Sequence, residues 1–313
     1  VIPVSVISGY LGAGKTTLIN EILTSDHGII ITLLVNDFGE VNIDASLIES
    51  STGDMIALTN GCACCTINND LTGALEAIQR RSPLPDAVVI EGSGVANLGR
   101  LAAVPDNYPG YYFALGLTLI DLKVIEHLVN DKFVGSTVTE QITAANHVIL
   151  TKTETMAAAL ILEKSDRLQD RLGEIPTIIS RHFLMENLRL LLTTADSLNP
   201  SVAADHPDYQ HAWLPLAEVS INQLKNLIST PVIGLLRMKG FVEEYGQSYL
   251  MQIDTSSSEM AETRPGKKKP QGVQIIGAPD LDMDALVAKL SACQISHREN
   301  SSQFLHEEQL HAP

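Results

Sequence analysis

Gly9-Tyr-Leu-Gly12-Ala13-Gly14-Lys15-Thr16 has the spacing G-x-x-x-x-G-K-[ST], a pattern that arranges backbone amides, an ammonium and a hydroxyl around a polyphosphate. Glycines let such a loop wrap an anion with its N–H groups pointing inward. The N-terminus of a following helix adds about half a positive charge. Lys15 then reaches the β- and γ-phosphates and Thr16 coordinates Mg2+, with Thr17 opening the helical run to Leu23. A second acidic group is needed at the end of a neighbouring strand to hold Mg2+ or its water, and Glu91 closes the apolar run Ala87–Glu91. Gly92-Ser93-Gly94 follows. Glycine at 94 lets a backbone N–H approach the γ-phosphate, so that loss of that phosphate would move the loop.

Base choice falls to Thr151-Lys152-Thr153-Glu154, which follows the apolar run ending at Leu150 and is similar to the guanine-reading loop Asn-Lys-x-Asp. In that loop the carboxylate accepts hydrogen bonds from the guanine N1–H and 2-amino group while the lysine stem lies over the ring. Thr151 stands where Asn is usual, and Glu154 sets the carboxylate one methylene further out. A buried amide or carboxylate left unpaired costs about 1–3 kcal/mol, so poor register would erode discrimination against adenine roughly ten- to a hundredfold. The loop favours guanine, with an exposed strand-to-helix turn as the plain alternative.

Gly61-Cys62-Ala63-Cys64-Cys65 places three thiols in four residues. Adjacent Cys64 and Cys65 would bridge only with strain. Thiolates at this density suit tetrahedral Zn2+ or Cu(I), with a carboxylate, a histidine or a water as fourth ligand. The alternative is three small core hydrophobes, but the position after Gly61, between a predicted strand and a predicted helix, argues for an accessible loop. Cys293 is isolated at the end of a predicted helix, and core packing is its expected role.

These residues must be held by a scaffold, and the hydrophobic pattern describes it. Apolar runs at Val1–Ser8, Ile29–Val35, Met55–Leu58, Ala87–Glu91, Leu115–Asp121, Val148–Leu150 and Thr177–Ser180 alternate with helical spacings such as Leu71, Ala74, Leu75, Ile78. Nearly all-apolar strands separated by helices predict a parallel sheet covered on both faces, an α/β domain, and the Gly9–Thr16 motif after its first strand makes it one of the P-loop nucleoside-triphosphatase type. From Thr193 to Tyr209 the chain turns to Asp, Ser, Asn, Pro and His. Beyond it, strands near His211–Leu216, Val232–Lys239, Tyr249–Asp254 and Gly272–Ile276 and helices near Ile221–Ser229 and Asp282–Ala292 predict a smaller C-terminal α+β domain. Thr255–Gln271, with three successive serines and Lys267-Lys268-Lys269, is read as a solvated loop. The expected division is 1–195, a linker at 196–210, 211–295 and a polar tail at 296–313.

Composition limits the partners. With 313 residues, a charge of −16 and no long basic stretch, nucleic acid and anionic membrane are poor partners. No apolar run reaches the roughly 20 residues of a membrane span, and the opening Val1–Ile7 lacks a basic leader. The expected location is the cytoplasm, where cysteines serve as free thiols or metal ligands.

Together these segments resemble the CobW-type metal-chaperone GTPases, relatives of the urease and hydrogenase nickel-insertion GTPases. The matching stretches are Ser8–Thr17, Asn36-Asp-Phe-Gly-Glu-Val-Asn-Ile-Asp44, Leu58-Thr-Asn-Gly-Cys-Ala-Cys-Cys65, Glu91–Gly94, Thr151-Lys152, Arg237-Met-Lys-Gly-Phe241 and Val273-Gln-Ile-Ile-Gly277. The resemblance implies a GTP-hydrolysing protein that binds Mg2+ and carries Zn2+, cobalt or another transition metal to a client metalloprotein. It makes Asn36–Asp44 the first switch, with Asp37 and Glu40 near Mg2+, the attacking water or the carried metal. Glu91 becomes the acidic strand end, Gly94 the γ-phosphate sensor, and Cys62, Cys64 and Cys65 the metal ligands. A nucleotide- or metal-dependent homodimer belongs to the same expectation. Glu154, and Gly-Ser-Gly where relatives usually have Thr or Cys after the Glu, depart from the family pattern. An ATP-dependent metal or iron–sulfur carrier of the same P-loop class is the alternative that Glu154 keeps open.

Overall fold

The computed structural model describes residues 1–36, 54–58, 67–173, 175–194, 209–230, 232–254, 258–263 and 271–295. The first sheet has seven strands: β1 (Ile2–Gly9), β2 (Ile31–Asn36), β3 (Asp54–Leu58), β4 (Ala87–Glu91), β5 (Tyr111–Asp121), β6 (His147–Thr151) and β7 (Thr177–Ile178). Every pairing is parallel, in the order β3-β2-β4-β1-β5-β6-β7. Parallel neighbours require crossovers. Helices α1 (Lys15–Thr24), α2 (Ile67–Gln79), α3 (Leu98–Asp106), α4 (Ile125–Leu128), α5 (Gly135–Thr143), α6 (Ala158–Leu172), α7 (Arg181–Glu186) and α8 (Leu188–Thr193) lie between and after the strands.

The sheet is covered on both faces, which is why β1 and β4 are apolar runs rather than alternations. Val4, Val6 and Ile90 point to one side and pack with Leu71, Leu75 and Ile78 of α2 and with Val138 and Ile142 of α5. Ile7, Leu33 and Val89 point to the other and meet Leu18, Ile19 and Ile22 of α1 and Leu188 and Leu192 of α8. Each such side chain gains about 1.5–3 kcal/mol by leaving water. Burial on two faces therefore fixes the layers. β5 starts at Tyr111 rather than at the expected Leu115, because Tyr111 and Phe113 are buried on one side while the Tyr112 hydroxyl donates to Thr193 O at 2.7 Å.

The second sheet is antiparallel, β11-β10-β9-β12-β8, built from β8 (Gln210–Leu214), β9 (Leu235–Glu244), β10 (Gln247–Asp254), β11 (Ser258–Glu262) and β12 (Gly272–Gly277). Helices α9 (Ile221–Ile228) and α10 (Met283–Ser291) cover one face, where Leu224, Leu286 and Leu290 meet Met238, Val242, Met251 and Ile275. Cys293 belongs to this core, and burial pushes its thiol up. Residue 210, the last of the expected linker, is the first of β8. β11 occupies part of the expected Thr255–Gln271 loop. Its side chains are exposed or half-buried, so no apolar alternation marks it, and backbone pairing with β10 holds it in place.

The two sheets touch. Leu236, Ile276 and Ala278 join the core cluster on the α2 and α5 side of the first sheet. The Tyr209 hydroxyl lies 2.7 Å from Thr137 Oγ1 of α5.

Candidate functional site

Parallel strands deliver their carboxyl ends to a single edge, where loops from different strands can meet. Register sets Ile7 beside Glu91, Gly9 beside Leu119 and Asp121 beside Thr151. The segments after β1, β4, β5 and β6 thus leave from the same edge.

The loop after β1 takes its shape from glycine. Gly9, Gly12 and Gly14 have φ of 143°, 79° and 96°, conformations that L side chains rarely adopt. Gly9 also lacks room, since a Cβ there would stand 2.7 Å from the main-chain oxygen of Leu119. Gly14 caps α1 in a left-handed conformation. The amides of the helix's first turn have no intrahelical acceptor, and Lys15, Thr16 and Thr17 supply three of them. Ala13 is buried against the layer formed by α1. Lys15 is 6% exposed, and its Nζ donates to Gly9 O at 2.7 Å, which places the ammonium at the mouth of the loop. Thr16 Oγ1 donates to Glu91 Oε1 over 3.4 Å, and Glu91 is 2% exposed. A hydroxyl from the first turn of α1 and a carboxylate from the end of β4 therefore converge beside a lysine. Ser8 and Ser93 add two buried hydroxyls that make no hydrogen bond among the described residues.

Gly94 is pressed against the same loop. A Cβ on it would lie 2.1 Å from Leu11 Cδ2 and 2.7 Å from Leu11 Cγ. Gly94→Ala is expected to force the segments after β1 and β4 apart and to lose about 1–3 kcal/mol of stability. Adding Leu11→Ala should restore most of that loss. Urea unfolding of the two single variants and the double variant checks this, and losses that simply add would show that the contact is not the cause.

Three residues that the sequence reading did not single out hold these loops. Gln141 of α5 is 1% exposed, and its Nε2 donates to Ala96 O at 2.9 Å and to Gly94 O at 3.2 Å. Asn97 caps α3 by accepting from Arg100 N at 2.9 Å and donates through Nδ2 to Glu140 Oε2 at 3.2 Å. Burial pushes the Glu140 carboxyl up, while Arg100 and the Asn97 bond pull it down. The third is Asp121 at the end of β5, whose Oδ2 is 2.7 Å from Lys152 Nζ. An amide on a helix looks like a surface residue, so Gln141 carries no local signal. Asp121 does carry one, because it ends its strand as Glu91 ends β4.

The loop after β6 is fastened to the loop after β1. Thr151 Oγ1 lies 2.9 Å from Ala13 O and 3.2 Å from Ile120 O, and it donates its one proton to these carbonyls. Lys152 follows at φ 58°, and Glu154 is exposed. Asp37, Glu40, Cys62, Cys64 and Cys65 lie outside the described residues. The segments that carry them leave the sheet at Asn36 and Leu58, partners at the carboxyl ends of β2 and β3. Among the described residues no group of three His, Cys, Asp or Glu is placed to hold a metal ion. No helix among them is long and apolar enough to cross a membrane.

The chain is similar to known proteins. The family model for the CobW/HypB/UreG nucleotide-binding domain matches residues 3–179. The zinc chaperone CobW of Sinorhizobium sp is 25% identical over 93% of this chain and 97% of its own length. The zinc-regulated GTPase metalloprotein activator 1 of Schizosaccharomyces pombe is 35% identical over 50% of this chain, which spans 40% of that protein. The zinc chaperone YjiA of Escherichia coli K12 is 31% identical over 56% of this chain and 54% of its own length.

Proposed function

The chain belongs to the CobW/HypB/UreG family, and from that premise we propose that it is a metal-binding GTPase that uses GTP hydrolysis to deliver a transition metal, zinc first, to a client metalloprotein. The observation that carries the nucleotide half is the convergence of Lys15, Thr16 and Glu91 at the carboxyl edge of the sheet. The Cys62, Cys64, Cys65 spacing and the zinc named for the relatives support the metal half.

The residues present suit both ligands of a hydrolytic site. Lys15 and the amides of Gly9 to Thr17 offer cation and N–H donors to the β- and γ-phosphates, which the excess of carboxylates elsewhere in the chain does not. The Thr16 hydroxyl and the Glu91 carboxylate are hard oxygen donors of the kind Mg2+ takes, and they are the residues that would hold it. When bound, that ion would neutralise charge developing on the phosphate oxygens as the bond from γ-phosphorus to the bridging oxygen breaks. A water supplies the new bond to phosphorus, leaving GDP and inorganic phosphate. In this reading Asp37 or Glu40 orients that water, and Gly94 follows the γ-phosphate. Thr151, Lys152 and Glu154 form the base end. Turnover without a partner is slow, since no arginine is assigned to the phosphates.

Metal release follows from linkage. GTP changes metal affinity only insofar as it binds the two metal states unequally, and the metal changes GTP affinity by the same factor. Zinc titration of the full chain with and without a non-hydrolysable GTP analogue should show affinities that differ by about fivefold or more. Identical affinities would overturn the delivery mechanism, and ATP outcompeting GTP on the apo protein would favour the ATP-dependent carrier. Replacing Cys62, Cys64 and Cys65 with Ala should remove the zinc response.

A further inference from the structure

We infer that Asp121 is the positioning residue of the base site, and that discrimination for guanine runs through an Asp121–Lys152 pair rather than through residue 151. The inference rests on the GTPase reading above and deepens it.

Three observations carry it. First, the Thr151 hydroxyl, with a single proton, lies against Ala13 O and Ile120 O. It ties the loop after β6 to the loop after β1, and in doing so it has no proton left for a base. Second, Lys152 sits at φ 58°, a backbone conformation that non-glycine residues hold only when the surroundings impose it. Third, Asp121 holds the far end of the Lys152 side chain. The Asp121 side chain is 4% exposed, its Oδ2 is 2.7 Å from Lys152 Nζ, and its Oδ1 accepts from Lys123 N at 3.0 Å. A backbone bond from Leu122 N to Thr151 O, 3.2 Å, locks the same corner.

The geometry has a direct chemical meaning. A lysine stem lying over a purine ring is a ledge, and a ledge needs its far end fixed. Free lysine loses up to about 2 kcal/mol of rotamer entropy when ordered. Asp121 orders Lys152 before a nucleotide arrives, so that ordering is not charged to binding. With the ledge fixed, the carboxylate two residues on, at Glu154, has one register in which to meet the ring edge. Asp121 touches no nucleotide in this arrangement and acts through Lys152.

The test is a double-mutant cycle on the full chain, reading GDP and ADP affinities by calorimetry. Asp121→Asn keeps an acceptor for Lys123 N and removes the charge that holds Lys152. It should weaken GDP about tenfold more than it weakens ADP. Lys152→Gln should give the same loss, and the double variant should lose no more than either single variant. A merely structural role would lower both nucleotides together or lower the melting temperature alone. If wild-type preference for GDP survives Asp121→Asn, or the two losses add, this inference fails and the GTPase reading stands. If wild type shows no preference for GDP over ADP, the guanine reading and this inference fall together.

Discussion

Lys15→Met should reduce GTP hydrolysis by about 10²–10³-fold, the loss expected when one preorganised donor to developing negative charge is removed. Methionine keeps an apolar stem of similar length, so the packing of α1 against the sheet is retained and the sheet keeps its stability. What disappears is an ammonium held at the mouth of the loop, 2.7 Å from Gly9 O. Single-turnover phosphate release measures the chemical step. A thermal shift adds a second reading, because a ligand at 100 times its Kd stabilises wild type by about 2.7 kcal/mol, and Lys15→Met should lose most of that shift. A variant with wild-type turnover would show that the loop after β1 is not the phosphate site.

Gly9→Ala should damage the same loop by a different route and with a larger loss of stability. Two costs coincide there. The backbone stands at φ 143°, where an L side chain is strained by about 1–3 kcal/mol. A methyl group would also meet the main-chain oxygen of Leu119 at 2.7 Å, and a carbonyl paired within the sheet cannot swing aside as a side chain can. Overpacking adds about 1–3 kcal/mol. Gly14→Ala is the internal control: its φ is 96°, but nothing lies within 4 Å of the added carbon, so only the strain is felt. Urea denaturation should rank Gly9→Ala below Gly14→Ala and both below wild type. If Gly14→Ala is the less stable of the two, backbone strain outweighs the clash with Leu119 and this account of β1 is wrong.

Much of this was readable from residue order alone, for reasons that differ along the chain. β1, β4 and the glycine loop were visible because two-sided burial leaves unbroken apolar runs and because left-handed turns select glycine. Glu91 was visible as an acid at a strand end. β11 was not, because Ser258–Glu262 is held by backbone bonds at a sheet edge and buries too little to leave a pattern. The first four residues of β5 were missed because Tyr111, Tyr112 and Phe113 alternate between partners that lie far away in sequence, Leu75 O for one hydroxyl and Thr193 O for another. Gln141 was hidden for a related reason: its acceptors, Gly94 O and Ala96 O, are 47 and 45 residues away. Thr151 is the instructive case. Sequence comparison marks it as a departure from the Asn of guanine-reading loops, whereas the fold gives its hydroxyl a structural task beside Ala13.

The strand order carries one more consequence. β1 lies between β4 and β5 with buried layers on both faces, while β6 is bordered on its outer side only by β7, two residues that are both exposed. Hydrogen exchange should therefore be slowest in β1 and faster in β6, since local opening begins where few buried contacts hold a strand. On the function proposed above, the phosphate end of the site is anchored in the slowest part of the molecule and the base end in a faster one. As denaturant rises, the protein should lose its power to tell guanine from adenine before it loses its grip on a triphosphate.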